Sequence, residues 1–150
     1  MAKYRSVVSV LLAFALILLL SLGAVAEAKP TKSTTYTPDQ LELIQGYAGE
    51  LKAARDRLPE LATLIQNQDW TFTRNFIHGP YGELRTTMLN VARNLLPDVQ
   101  APARKSAKLV FDNLVAIDKA AQDQDYKTAI RNYGETLRDF DAFLQLIPKS

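Results

Sequence analysis

The chain has 150 residues, with no cysteine, one histidine and one tryptophan. Without cysteine it can form neither disulfides nor thiolate metal sites, and lipid attachment at a cysteine is excluded. Eighteen basic and 16 acidic residues give a formal net charge of +2. From Lys29 onward the two signs nearly balance, so the composition does not favour a nucleic-acid partner.

Residues 1–28 have the layout of a secretory signal peptide. A short basic start precedes an apolar run over residues 7–22 and two overlapping A-x-A sequences, at 24–26 and 26–28. We expect cleavage after one of them, so that the mature chain begins at Glu27 or Lys29. An uncleaved membrane anchor is the alternative, because the apolar run approaches the roughly 20 residues that span a bilayer.

The rest of the chain is long enough for one domain with a modest core. Residues 29–36, KPTKSTTY, show no periodicity and are typical of a flexible tail. Thr37-Pro38-Asp39-Gln40 then forms a helix start with a capping box. Apolar residues follow at spacings of three and four up to Ile65, which predicts one helix that is kinked or briefly broken at Leu58-Pro59.

Three more amphipathic stretches follow. The second helix is predicted from Trp70 to Leu95, after a turn capped by Asp69, and a polar loop, DVQAP at 98–102, separates it from a third with apolar positions between 103 and 117. The fourth covers 126–147, and its turn, QDY, resembles the QDW of the first turn. Because the connections are short, we predict an all-α, up-down-up-down four-helix bundle over residues 37–150.

The most distinctive stretch is DWTFTRNFIHGPYGELR, residues 69–85, which contains the single tryptophan and the single histidine. Gly79-Pro80 predicts a kink, because proline cannot donate a backbone hydrogen bond. A lone histidine supplies neither a di-iron nor a zinc site, and no C-x-x-C-H sequence is present for haem. No serine has a nucleophile context. We therefore expect no enzyme, no cofactor or metal of its own, and no small-molecule substrate.

Two interpretations of this stretch remain open. Under the first it is a packing feature beside a turn. Under the second it is a docking surface built on a kinked helix, because arginine and aromatic side chains commonly anchor protein interfaces. The candidate docking residues are Trp70, Arg74, Asn75, Phe76, His78, Gly79, Pro80 and Arg85. A basic cluster, Arg93, Arg104, Lys105 and Lys108, is a further docking candidate or a solvated face.

Residues 69–85 also resemble the signature of the PsbQ family, the small extrinsic subunits of photosystem II. The core of the resemblance is NFIHGP, and NLLP at 94–97 and DFDAFLQLIP at 139–148 are similar to family segments. The resemblance covers essentially the whole mature chain. It implies a four-helix bundle in the thylakoid lumen, peripheral to the membrane, with the photosystem II core and other extrinsic lumenal subunits as partners. It also implies a non-catalytic role: stabilising the oxygen-evolving complex so that manganese, calcium and chloride are retained.

The chain departs from the family pattern at one point. Many cyanobacterial-type members are lipoproteins with a cysteine at the processing site, and this chain has no cysteine. The resemblance therefore implies attachment through protein contacts. A generic exported bundle that binds a ligand or acts as an anchored scaffold is the alternative function.

Overall fold

The computed structural model describes residues 34–149, and the predicted signal peptide and most of the predicted tail lie outside them. Five helices follow one another: α1 (Pro38–Gln66), α2 (Trp70–His78), α3 (Leu84–Asn94), α4 (Pro97–Gln122) and α5 (Tyr126–Leu144). This part of the chain contains no strand, which confirms the all-α prediction. None of its helices combines the length and the apolar character that crossing a membrane requires.

Helix α1 begins with the predicted capping box. The Thr37 hydroxyl accepts a hydrogen bond from the Gln40 backbone N–H at 3.2 Å, and the Gln40 side chain accepts one from the Thr37 N–H at 3.0 Å. The helix then runs through Pro59 without a break, so the predicted brief interruption is wrong. Leu58 and Leu61, on either side of the proline, are fully buried. Their packing in the core stabilises the helix across Pro59.

The second predicted helix is in fact two helices, α2 and α3, separated by turns at residues 79–83. The prediction of a single kinked helix over residues 70–95 is therefore wrong. Gly79 leaves the helical region, with φ −89° and ψ −88°, and the following Pro80 has no N–H to continue the ladder. A Cβ at Gly79 would lie only 3.0 Å from the Asn75 carbonyl oxygen, so any other residue there would have to displace this carbonyl by a few tenths of an ångström.

Tyr81 fixes this interruption to α1. Its side chain is only 4% exposed, and its hydroxyl donates a hydrogen bond to the Ala54 carbonyl at 2.8 Å. Its ring also contacts Phe76, with the centroids 5.2 Å apart. Tyr81 was not among the predicted core residues. Tyr81 therefore packs this five-residue break against the core, while the residues on either side of it remain exposed.

Helix α4 begins six residues earlier than its predicted apolar positions, so the predicted DVQAP loop is helical. Leu96 is extended and Pro97 occupies the first helical position, where its fixed φ and missing N–H are tolerated. The Gln100 side chain donates to the carbonyls of Arg93 and Leu95, at 3.1 and 2.9 Å, and so satisfies the end of α3. Only two residues, Leu95 and Leu96, connect α3 to α4.

The turns before α2 and α5 have the same construction, as their shared sequence predicts. Gln68 and Gln124 have positive φ values of 54° and 58°. The next residues, Asp69 and Asp125, donate their backbone N–H to the carbonyls five residues earlier, those of Leu64 and Ala120. Their side chains accept from the backbone of Phe72 and Thr128, which confirms Asp69 as a cap.

The helices pack in a closed ring of neighbours. Helix α1 contacts α2, α3 and α5, and α4 contacts the same three, with its most extensive contact to α5. Arg55 of α1 makes two hydrogen bonds to Asp141 of α5, at 2.7 and 2.9 Å, while Gln45 donates to the Pro148 carbonyl. Gln45 precedes Arg55 along the chain, whereas its partner Pro148 follows Asp141. Helices α1 and α5 are therefore antiparallel. Helix α5 ends at Leu144, three residues before the predicted end.

The core lies along the facing sides of these helices and contains most of the predicted apolar positions. The largest side chains with no exposed surface are Ile44, Leu51, Leu58, Leu61, Ile65, Met88, Val91, Val110, Ile117, Phe140 and Phe143. One carboxylate is also buried between α4 and α5: Asp139 accepts a hydrogen bond from the Asn113 amide at 2.9 Å. Partnering of this kind offsets the cost of burying a charge.

Replacing either positive-φ glutamine by glycine should stabilise the protein. An L-residue in the left-handed region costs about 1–2 kcal/mol, and glycine removes that cost but adds chain entropy to the unfolded state. We expect Gln68→Gly or Gln124→Gly to raise the free energy of unfolding by about 0.5–1 kcal/mol, measured by urea denaturation. Ala53→Gly is the matched control: Ala53 is exposed in the middle of α1, where glycine should destabilise. Equal effects at all three positions would contradict the turn geometry.

Tyr81 should make the protein sensitive to alkaline pH. Burial raises the pKa of Tyr81 above its ordinary value of 10.0. The stabilising contribution is therefore complete below about pH 10 and is lost as the pH rises beyond it, because the unfolded chain ionises first. The Tyr81→Phe substitution should lower the free energy of unfolding by about 1 kcal/mol at pH 8. Between pH 9 and 11 the free energy of unfolding of the variant should fall less than that of the parent. Parallel losses in urea titrations of the two proteins would contradict a buried phenol.

Candidate docking surface

The outer face of α2 is the candidate surface. Thr73 and Phe76 of this helix are buried, and Trp70 and Ile77 pack partly against the core. At 100° per residue, the opposite side of the helix must therefore face solvent. Thr71, Asn75 and His78 are exposed there, and Gly79 and Pro80 continue the exposed surface beyond the end of the helix.

A polar groove of about 380 Å³ runs between α2 and the end of α4. Helix α2 contributes Trp70, Arg74, Asn75 and His78, and the α4 end contributes Gln122 and Gln124. The half-buried Trp70 ring forms an apolar part of the wall. Among the residues that the structure describes, no carboxylate lines the groove, so arginine is its one permanently charged side chain.

Asp118 of α4 is not a lining residue of the groove, but its carboxylate orients the two lining residues Arg74 and His78. Its Oδ1 accepts from Arg74 Nε at 3.1 Å and from His78 Nε2 at 2.9 Å. The carboxylate is less exposed than the arginine, at 22% against 42%. Asp118 was not a predicted site residue. The signal available in the sequence was its position. Asp118 lies one turn before the end of α4, and Arg74 lies one turn after the start of α2.

Phe72 is a second residue that the sequence analysis did not select. Its side chain is 60% exposed, although the next residue, Thr73, is buried, as is Phe76 one turn further on. On the helix it lies beside Asn75, on the side away from the groove, because the two are three residues apart. The outer face of α2 thus has an apolar edge at Phe72 and a cationic edge at Arg74.

The structure brings together only part of the predicted set. Trp70, Arg74, Asn75 and His78 share the groove. Phe76 is instead in the core, only 8% exposed, with the Arg57 guanidinium 5.3 Å from its ring centroid. Its ring is therefore not available to a partner in this conformation.

Arg85 also lies away from the groove. It is on α3, and its guanidinium lies 5.7 Å from the centroid of the Phe111 ring on α4. The basic cluster is exposed as a whole, but two of its members have local partners: Arg104 donates to Gln100, and Lys108 pairs with Asp112. Solvent and these local partners satisfy much of the charge of the basic cluster, which favours the solvated face over a docking role.

Within residues 34–149, no three side chains of histidine, aspartate or glutamate converge on a position where they could hold a metal ion. The His78–Asp118 pair has the Arg74 guanidinium as its third member, which opposes a cation. The arrangement is suited to binding a partner through hydrogen bonds and apolar contact. It has no nucleophile and base in contact.

Comparison with known proteins gives a consistent result over the whole chain. A sequence profile of the PsbQ family, described as oxygen evolving enhancer protein 3, matches residues 4–148. The protein CyanoQ of Synechocystis sp. (strain PCC 6803) is 38% identical over 151 aligned positions, which cover 100% of this chain and 99% of CyanoQ. Both matches include the groove and all of the described helices. The resemblance in residues 69–85 is therefore confirmed, and the chain belongs to the PsbQ family, whose members are non-catalytic extrinsic subunits of photosystem II.

Proposed function

We propose that the protein stabilises the oxygen-evolving complex from the lumenal side of photosystem II and helps to retain its manganese, calcium and chloride. The observation that carries this proposal is the family match over nearly the whole chain. The protein supplies no cofactor of its own in this role. It acts by covering a surface of the complex, which slows the exchange of ions with the surrounding water.

We further propose that the chain is exported by residues 1–28 and is attached peripherally in the thylakoid lumen. Residues 37–150 then act as an up-down-up-down four-helix bundle in which α2 and α3 form one interrupted member. Two observations support this arrangement: α1 and α4 each contact both α2 and α3, and every connection between described helices is short. With no cysteine for lipidation, attachment depends on protein contacts.

The outer face of α2 is the surface that we assign to these contacts. It combines an exposed phenylalanine with an arginine that is already held in place by Asp118. Phenylalanine and arginine are enriched in protein interfaces, and an arginine fixed before binding loses less side-chain entropy on association. Asn75, His78, Gly79 and Pro80 add exposed polar and backbone groups between and beyond these two. The partners are the photosystem II core and other extrinsic lumenal subunits.

Co-purification tests the function. Photosystem II isolated from detergent-solubilised thylakoids of a strain with a tagged core subunit should contain this chain. A strain that lacks the chain should lose oxygen evolution faster than its parent when calcium and chloride are withdrawn from the medium, and added purified protein should restore the difference. Absence of the chain from the isolated complex, or an unchanged response to ion depletion, would contradict the proposal.

Truncating Phe72 tests the surface. Phe72→Ala should raise the Kd for photosystem II by about tenfold or more, because aromatic anchors at interfaces often cost about 2 kcal/mol when removed. The melting temperature of the free protein should change little, since exposed substitutions usually alter stability by less than about 0.5 kcal/mol. Leu43→Ala is the matched control, an exposed apolar residue of α1, 45% exposed and away from α2. Equal Kd values for both variants would place the contact elsewhere.

A further inference from the structure

The groove beside α2 presents hydrogen-bond donors that the fold does not use. An arginine has five N–H groups in a planar fork. Arg74 uses its Nε for Asp118, and its two Nη atoms make no hydrogen bond within residues 34–149. The guanidinium group is rigid and planar. The hydrogen bond from its Nε to the Asp118 carboxylate therefore also fixes the direction of its two Nη groups.

Apart from Arg74 and His78, the described side chains that line the groove carry no charge. Asn75, Gln122 and Gln124 carry amides, which donate as well as accept, and Trp70 adds a flat apolar wall. The nearby acidic residues are already engaged. Asp123 pairs with Lys119 at 2.7 Å, and Asp69 and Asp125 cap helices. Asp118 offsets part of the arginine charge but is not among the lining residues.

We propose, building on the docking role above, that this groove receives an aspartate or glutamate side chain from the lumenal protein surface of photosystem II. Its carboxylate accepts from the free Nη groups of Arg74, and the amide side chains bind its remaining lone pairs. The methylene groups of the incoming side chain contact Trp70. An anionic occupant is favoured because the Nη groups of Arg74 are charged donors without a partner among residues 34–149, and no described lining residue is a carboxylate.

The occupant belongs to a folded protein surface and not to a small solute. The groove is open on its outer side, and Phe72 stands on the opposite edge of the same helix face, 60% exposed. A small anion in the groove would leave this ring in water. A protein surface with an acidic side chain beside an apolar depression can contact Arg74 and Phe72 at the same time. The two contacts together restrict the partner to one orientation on α2.

The Kd of the full chain for photosystem II, prepared from a strain lacking the chain, tests the assignment. Arg74→Gln should raise the Kd by about 10- to 100-fold, as expected for a central interface arginine. Asp118→Asn should leave the Kd within about threefold of the parent or lower it, because it removes a carboxylate that competes for the same arginine. Arg131→Gln, an exposed arginine on α5, is the matched control and should bind as the parent does.

The outcomes separate this inference from the docking role. If Arg74→Gln binds as the parent does while Phe72→Ala is weakened, the docking surface stands and the carboxylate site is overturned. If Arg74→Gln and Asp118→Asn weaken binding equally, their ion pair only holds α2 on α4, and the inference again falls. Should Arg74→Gln fail to fold, Arg74→Lys keeps the charge but loses the fork, and an unchanged Kd overturns the proposal. A parent chain that does not bind photosystem II removes the proposed function itself.

Discussion

The rest of the structure depends on the interruption at residues 79–83. Once Gly79 leaves the helical region and Pro80 cannot donate, α2 must end, and its nine residues are too few to be stable as an isolated helix. Helix α2 is held at both ends: Asp69 caps its start through a local hydrogen bond, and a tertiary contact of buried Tyr81 ties the chain after it to the Ala54 carbonyl. The geometry of the candidate docking surface follows from these two attachments, because they set the position and rotation of a short helix.

Local sequence signals predicted the parts of the fold that local interactions determine. The capping box at Thr37, the Asp69 cap and the likeness of the two glutamine-aspartate turns depend on residues within a few positions of one another. The apolar stripe was also predictable, because burial of one helix side recurs every three to four residues. Proline was the ambiguous signal. Pro59 is accommodated inside a helix, Pro80 follows the end of one, and Pro97 begins one, so the residue alone does not decide between these outcomes.

The candidate site was only partly predictable, because its decisive contacts join distant positions. Arg74 and Asp118 are 44 residues apart, and Tyr81 and Ala54 are 27 residues apart. Its position one turn before the end of α4 is the one signal for Asp118, and that position does not by itself show that its carboxylate orients two basic side chains. Phe76 shows the opposite case: its place in a distinctive motif suggested a surface role, but helical phase puts it in the core and Phe72 outside. A motif identifies a region, while the phase of the helix determines which of its side chains a partner can reach.

Helix α2 separates the residues that hold the fold from those that are free to bind. Thr73 and Phe76 are buried, so changing them affects the folded state itself, whereas Phe72 and Asn75 contribute little buried area. A single exposed phenylalanine is common on protein surfaces and has little meaning alone. Its significance here comes from an arginine on the same helix whose Nε is already bound, so that a partner meets a rigid pair of apolar and cationic groups. A partner that binds only this folded arrangement also stabilises it by mass action, and α2, held largely by tertiary contacts, is the element with most to gain from that linkage.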